Sequence, residues 1–348
     1  MKIKRPKSPE DAAASLISEA RQQFEICDKE RVRITAALAE MERNLLPAVV
    51  RKMGRRWLTN EVPPLLEAQA IDDPIYGHIL LNQILATLVS HPLLQRLARV
   101  KQLSFSFAQF PSARHSRLSH SLGVAKNAEM AVNGMLNRGV YYVEGETHSF
   151  SFGKDIIEQR DALIQKAQLV ALLHDVGHGP CGHALDNYAG IKLGVPRPDK
   201  RYTTTYVKQY LAPTLKSLGI DDANILRILD PDRANLKGMD NLIGDIVDSS
   251  LDVDRMDYLM RDAHMTGLMM GFINTMALID FMKPVLDEGS FILAYDEEAL
   301  GYMEHLILAR DTMFFNCYEH PRKKSCRTNI YALSQKCRRG RQTWTHTG

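Results

Sequence analysis

Residues 167–183 read AQLVALLHDVGHGPCGH, and both the fold and the chemistry turn on them. An apolar, helix-forming run leads into His174-Asp175 and is halted by Gly177, Gly179 and Pro180. An imidazole and a carboxylate side by side at a buried helix end can ligate one cation, and the glycines open the backbone beside it. His178 lies four residues past His174, and His183 follows after another turn of chain. A lone His-Asp pair is common by chance. Three histidines and an aspartate within ten residues, directly behind an apolar helix, point to a metal centre.

Two further segments supply what such a centre needs. In RHSRLSHSLGVAKNAEMA (114–131), Arg117 and His120 are three apart, so a helix places them on one face. Leu118, Leu122, Val124 and Ala125 are the expected core contacts of that helix. Taken alone, His120 reads as a satisfied structural histidine. In DSSLDVDRMDYLMRDAH (248–264), Asp254, Tyr258 and Asp262 recur at i, i+4 and i+8. Steps of four drift by only about 40° on a helix, so all three can face one cavity. Two carboxylates on a buried face need cations or hydrogen-bond donors to compensate them. The interleaved Leu251, Val253, Met256, Leu259 and Met260 argue against a fully solvated charged face.

The 348-residue chain is 45% hydrophobic and 24% charged, enough for a substantial core. Its net charge of +3 does not mark a nucleic-acid binder. Five cysteines without paired spacing read as reduced, intracellular thiols. MKIKRPKSPED at the start lacks the apolar stretch of a signal peptide, and no run reaches the roughly 18–20 apolar residues that span a bilayer. A cytoplasmic protein without membrane attachment is expected.

Residues 1–70 read as a helical appendage: Ser8 and Asp11 resemble a capping box, and Pro63-Pro64 closes the segment. From 71 to 320 the periodicity is mainly helical. Uninterrupted helices are expected over 242–264 and 300–316, and loops over 110–116, 177–182, 190–204 and 230–240. Short strands are expected near Tyr141–Val143, Ser149–Phe152 and Phe291–Tyr295. The fold class is therefore all-α with a minor β-hairpin. From Arg322 to Gly348 the chain carries eight Lys or Arg and no acidic residue. This basic tail, 321–348, reads as a disordered or truncated end or as an arm for nucleic acid. It or the N-terminal helices can meet a nucleic-acid or protein partner.

Taken together, SRLSHSLGVA, LLHDVGHGPCGH and DVDRMDYLMRD resemble the HD-domain deoxynucleoside triphosphate triphosphohydrolases, which include bacterial dGTPases. The resemblance extends through DPIYGHI (73–79), PLLQRLARVKQL (92–103) and ARDTMFFNCYEH (309–320), covering about 250 residues. It implies the helical HD fold and metal ligation by His120, His174, Asp175 and Asp254. It implies phosphate contacts from Arg117, His178, Arg255, Tyr258 and Arg310. Gln102 and Asp262 match positions that hold the sugar 3′-hydroxyl, Leu103 one that crowds a ribose 2′-hydroxyl, and Tyr318 one that packs on the sugar. His183 matches a histidine beside the scissile phosphate, so catalytic roles fall to His178, His183 and Asp254. Two imidazoles with two carboxylates suit Mn, Fe, Ni or Zn, with a further Mg entering on the nucleotide. A dNTP substrate and a homo-oligomer are the partners implied.

The chain departs from the family pattern in two places. KRYTTTYV (200–207) carries Thr204, or a neighbour, where the family places another catalytic histidine. Ser90 and Ala98 stand where a vertebrate member of the family it resembles binds an activating guanine nucleotide through an acid and an arginine. Two alternatives follow: another HD phosphohydrolase acting on a different phosphoester, or a catalytically weak, nucleotide-binding regulatory subunit.

Overall fold

The computed structural model describes residues 69–150, 156–179, 182–183, 197–233 and 236–321. The expected N-terminal appendage up to residue 68 and the basic tail from residue 322 lie outside the described residues, as do residues 151 and 152.

The described chain opens with a hairpin, β1 (Gln69–Asp73) and β2 (Gly77–Leu81), where helix was expected from Asp73 onward. The reason is local. Asp73 Oδ1 accepts from the backbone N–H groups of Ile75 (2.9 Å) and Tyr76 (3.2 Å), and Gly77 adopts a φ of 69°. That aspartate-anchored turn competes with helix. Two short helices follow, α1 (Gln83–Val89) and α2 (Pro92–Gln95), capped by Asn82 and His91. Then comes the long α3 (Arg117–Arg138), started by Ser116, whose hydroxyl accepts from Ser119 N, and ended by left-handed Gly139.

β3 (Val140–Val143) and β4 (Glu146–Ser149) form a second hairpin, which places the strand expected near 149–152 earlier in the chain. α4 (Ile156–Leu173) carries the apolar run into the HD turn, and α5 (Pro198–Tyr206) begins inside the span expected to be loop. α6 (Ala212–Ser217) and α7 (Asp222–Leu229) follow.

The helix expected over 242–264 is broken in two, α8 (Met239–Val247) and α9 (Val253–Thr266). Asp252 causes the break. One of its oxygens accepts from Ser249 N (2.9 Å) and the other from Arg255 N (2.8 Å), so it becomes the N-cap of α9. α10 (Thr275–Asp280) leads to β5 (Met282–Asp287) and β6 (Ser290–Tyr295). α11 (Leu300–Met313) passes into a π-helical turn through Tyr318, close to the helix expected over 300–316.

The architecture is helical with small sheets. The second and third hairpins join in the order β4-β3-β5-β6, with β3 running parallel to β5. Both hairpins turn on Glu-Gly pairs at positive φ, Glu144-Gly145 and Glu288-Gly289, as tight two-residue loops require. The core lies where α3 packs along α4 and across α9. Leu169–Leu173 of α4 are wholly enclosed, as are Val124, Ala128, Ala131 and Val132 of α3 and Val253, Met256 and Leu259 of α9. This packing brings the first turn of α3, the end of α4 and the first turn of α9 to one place. Among the described residues no helix is long and apolar enough to cross a membrane.

Candidate metal centre and nucleotide cavity

Each of those three termini delivers part of a single cluster. His120 Nε2 lies 3.0 Å from Asp254 Oδ1 and 3.7 Å from Asp175 Oδ2. His174 Nε2 lies 3.6 Å from Asp254 Oδ1 and 3.4 Å from Asp175 Oδ1. The ligand atoms of His120, His174 and Asp175 fall within 4.8 Å of one another. All four residues expected to ligate metal are therefore gathered from three separate helices.

The second nitrogen of each imidazole is committed elsewhere. His120 donates from Nδ1 to Asp257 Oδ2 (2.7 Å), and His174 from Nδ1 to the Ala171 carbonyl (2.6 Å). Both rings thereby turn Nε2 toward the cluster, the usual orienting device for metal-bound histidine. His174 Nε2 is buried without a hydrogen-bond partner. A buried acceptor left in that state is costly unless a cation occupies its lone pair. The electrostatics agree. Burial lowers the His120 pKa, but the carboxylates of Asp254 and Asp257 outweigh it and lift it to about 10, so the site attracts positive charge. Burial pushes Asp254 and Asp175 up, yet neighbouring imidazoles, and for Asp175 above all Arg117, hold both well below the ordinary carboxylate range. The residues present fit a divalent cation.

Behind His120 runs a buried network that the sequence reading missed. Asp257 and Arg261 are both 0% exposed and are joined by two hydrogen bonds, at 2.9 and 2.8 Å. Arg261 also donates to Asp73 Oδ2 in the first hairpin (2.7 Å). The i, i+4 spacing of Asp257 and Arg261 was the available signal, hidden because surface helices carry the same spacing.

A cavity opens from the cluster. It is lined by Gln102, Arg117, His178, His183, Arg255 and Tyr258 from the expected set, together with Asp199, Lys200, Asp248 and Asp252, which were not anticipated. Arg117 is 1% exposed; one guanidinium nitrogen is hydrogen-bonded to Asp175, while Nε and Nη2 are unpartnered. Gln102 Oε1 is likewise buried without a partner. His178 Nε2 lies 3.2 Å from Asp175 Oδ1, and its ring meets that of His183 edge-on at 4.7 Å. Arg255 is held by the Ser249 carbonyl and by Asp252 Oδ2 (2.6 Å).

Four of the expected substrate-binding residues do not line this cavity. Leu103 is buried in the core beside Gln102. Asp262 lies behind Tyr258, bonded to His115 Nε2 (2.7 Å) and to the Tyr318 hydroxyl (2.8 Å). The Tyr318 ring stands 6.0 Å from that of Tyr258. Arg310, its side chain 45% exposed on α11, is near enough for its charge to act on the Tyr258 phenol.

The HD turn itself is fixed from outside. Arg96 forks onto the carbonyls of Val176 and His178, both at 2.6 Å. Thr203 of α5 accepts from Gly177 N (2.9 Å) and donates to the His174 carbonyl (3.0 Å). A Cβ at Gly177 would stand 2.1 Å from the Asp199 carbonyl, so only glycine lets α5 approach this closely. Thr204 bonds its own helix, to the Arg201 carbonyl at 3.0 Å, and is not among the cavity residues.

No protein-family model matches the chain. It is similar to a phosphohydrolase of known structure from Bacteroides thetaiotaomicron, with a TM-score of 0.56 and 28% identity over 73% of this chain and 55% of that one. The human deoxynucleoside triphosphate triphosphohydrolase SAMHD1 is 28% identical over 281 residues, 72% of this chain and 42% of that protein. In sequence and fold the chain is similar to HD-domain phosphohydrolases. The chain is also 27% identical, over 270 residues, to an uncharacterised protein of Mycoplasma genitalium, 76% of this chain and 59% of that one. It spans about half the length of the curated relatives it matches.

Proposed function

We propose that this HD phosphohydrolase cleaves deoxynucleoside triphosphates to deoxynucleoside and inorganic triphosphate. One observation carries the reading. The cavity that opens from the four-ligand cluster also holds the guanidinium groups of Arg117 and Arg255 and the unpartnered amide oxygen of Gln102. That is more phosphate-binding capacity than a monophosphate needs, with a hydrogen-bond acceptor ready for a sugar hydroxyl. The human relative, a deoxynucleoside triphosphate triphosphohydrolase, supports the same substrate class.

His120, His174, Asp175 and Asp254 would hold a divalent transition metal (Mn, Fe, Ni or Zn), with a further Mg accompanying the nucleotide. Bound there, the cation supplies Lewis acidity at the reacting phosphate. Arg117, Arg255, Tyr258 and Arg310 neutralise and orient the triphosphate, and Arg matches its oxygens with a planar fork. Gln102 meets the 3′-hydroxyl at the cavity wall, and Leu103, Asp262 and Tyr318 support that wall from outside the cavity. Water adds to the α-phosphorus as the bond to the sugar 5′-oxygen breaks, and that oxygen leaves with a proton from His183 or His178. Self-association is part of this reading; α11 and the turn after it leave Leu308 and Phe315 exposed.

The test is product analysis with dATP, dGTP, dCTP and dTTP in the presence of Mn²⁺ or Mg²⁺. Deoxynucleoside plus intact triphosphate is the expected result, with ribonucleotides disfavoured on the order of 10²-fold. Orthophosphate plus dNDP as first products overturns it. The position of Thr204 off the cavity favours a second reading, a nucleotide-binding regulatory subunit, which nucleotide binding without turnover would establish.

A further inference from the structure

The cavity's cations differ in how firmly they are already engaged. Arg117 is bonded to Asp175, and Arg255 is held by Asp252 and the Ser249 carbonyl. Lys200, in the first turn of α5, stands apart. Its side chain is 15% exposed, and its ammonium lies 3.5 Å from Asp248 Oδ2. That oxygen already receives Arg197 at 2.8 Å, with Arg233 a further 3.8 Å away. Three cations share one carboxylate oxygen, and Arg197 holds the best geometry. Among the described residues Lys200 has no closer partner. An ammonium with three donors, largely withdrawn from water and loosely paired on a cavity wall, is under-coordinated. On its flexible four-carbon stem it is also a movable point charge.

We propose that Lys200 is a substrate-binding residue whose ammonium takes the terminal phosphate of a triphosphate tail. The proposal rests on the triphosphate reading above and names a contact within it. Asp175, which anchors Arg117, belongs to the ligand cluster, so Arg117 serves the reacting phosphate. Lys200 pairs with Asp248, which is not one of the four ligands, and so meets a different part of the tail. Asp248 holds the ammonium in place until a phosphate, with more charge and more acceptor oxygens, draws it off. The segment that lacks the family's histidine thus contributes a cation in its place.

The experiment measures inorganic triphosphate and orthophosphate binding by calorimetry, at moderate salt, for the wild type, Lys200→Met and Lys200→Arg. Loss of one charge-assisted hydrogen bond should weaken triphosphate binding about tenfold in Lys200→Met. Orthophosphate binding should be unchanged, and Lys200→Arg should stay near wild type. With a dNTP substrate, KM should rise by a similar factor at nearly constant kcat. Equal losses for both anions, no loss, or a wild type that binds no triphosphate would each overturn the assignment. A wild type that binds triphosphate through Lys200 yet turns over no dNTP would instead refute the proposed activity and leave this contact standing.

Discussion

A Cβ placed on Gly123 would stand 1.8 Å from Asp257 Oδ1 and 2.3 Å from Arg261 Nη2. Gly123 sits one turn beyond His120 on α3, so the missing side chain lets α9 bring Asp257 under the His120 ring. Helix contact and ligand orientation are therefore one event. Both colliding atoms belong to a buried, mutually bonded pair with little room to yield.

Gly123→Ala should accordingly displace Asp257 and loosen His120. The expected outcome is a fall of 10- to 100-fold in metal affinity, the range seen when an outer partner of a metal-binding histidine is lost. A lowered Tm should accompany it. Metal titration and thermal melts on the variant decide; wild-type affinity would show that α9 can shift without disturbing His120.

Asp175→Ala and His174→Ala act on the ligands directly. Each should abolish stoichiometric metal while the far-ultraviolet circular dichroism stays helical, because the core of α3, α4 and α9 does not depend on them. Elemental analysis of purified protein is the measurement. Full metal content in both variants would remove these residues from the site.

His183 is an exposed residue at the cavity, with its ring against that of His178. As proton donor to the leaving 5′-oxygen it should affect turnover more than binding. His183→Ala is expected to lower kcat by roughly 10²- to 10⁴-fold with a smaller change in KM, the usual scale of general-acid help. A rise in KM at constant kcat would make it a binding residue instead.

His91 gives the fold a predictable acid weakness. Burial pushes its pKa down to about 4, and its Nδ1 must stay unprotonated to accept from Leu93 N at 3.2 Å and cap α2. The unfolded chain takes up a proton near pH 6.5 that the folded chain refuses. Stability from this residue is therefore intact above pH 6.5 and lost as pH falls toward 4, on the order of 2 kcal/mol at pH 5. His91→Asn keeps a capping acceptor without the titration. Its Tm relative to wild type should rise between pH 7.5 and pH 5; a pH-independent difference refutes the assignment.

The four candidate ligands were legible because each lies in a motif with its own periodicity: an apolar run before His174, an i, i+3 pair at Arg117 and His120, an i+4 series from Asp254. What escaped was decided by tertiary contact. Nothing local distinguishes Asp257 from a solvated helix acid, or Thr203, which clamps the HD turn, from Thr204, which bonds only its own helix. Lys200 fell within the span expected to be loop, 190–204. The break between α8 and α9 was readable in principle, since Asp-Ser-Ser-Leu-Asp offers side-chain acceptors to its own backbone, but the apolar period across 242–264 masked it. The Asp73 turn was masked in the same way.

That turn has a wider consequence through Arg261. Its guanidinium balances Asp257 on one side and Asp73 on the other, so the His120 imidazole of the candidate metal site is linked to a hairpin loop through two carboxylates and one cation. Breaking a buried ion pair by removing one partner typically costs about 3–5 kcal/mol. The Asp73-Pro74-Ile75-Tyr76-Gly77 turn, far from His120 in sequence, should therefore resist substitution as an active-site loop does. Grafting a generic hairpin of equal length in its place would strand half of a buried charge, and the injury would surface at the metal.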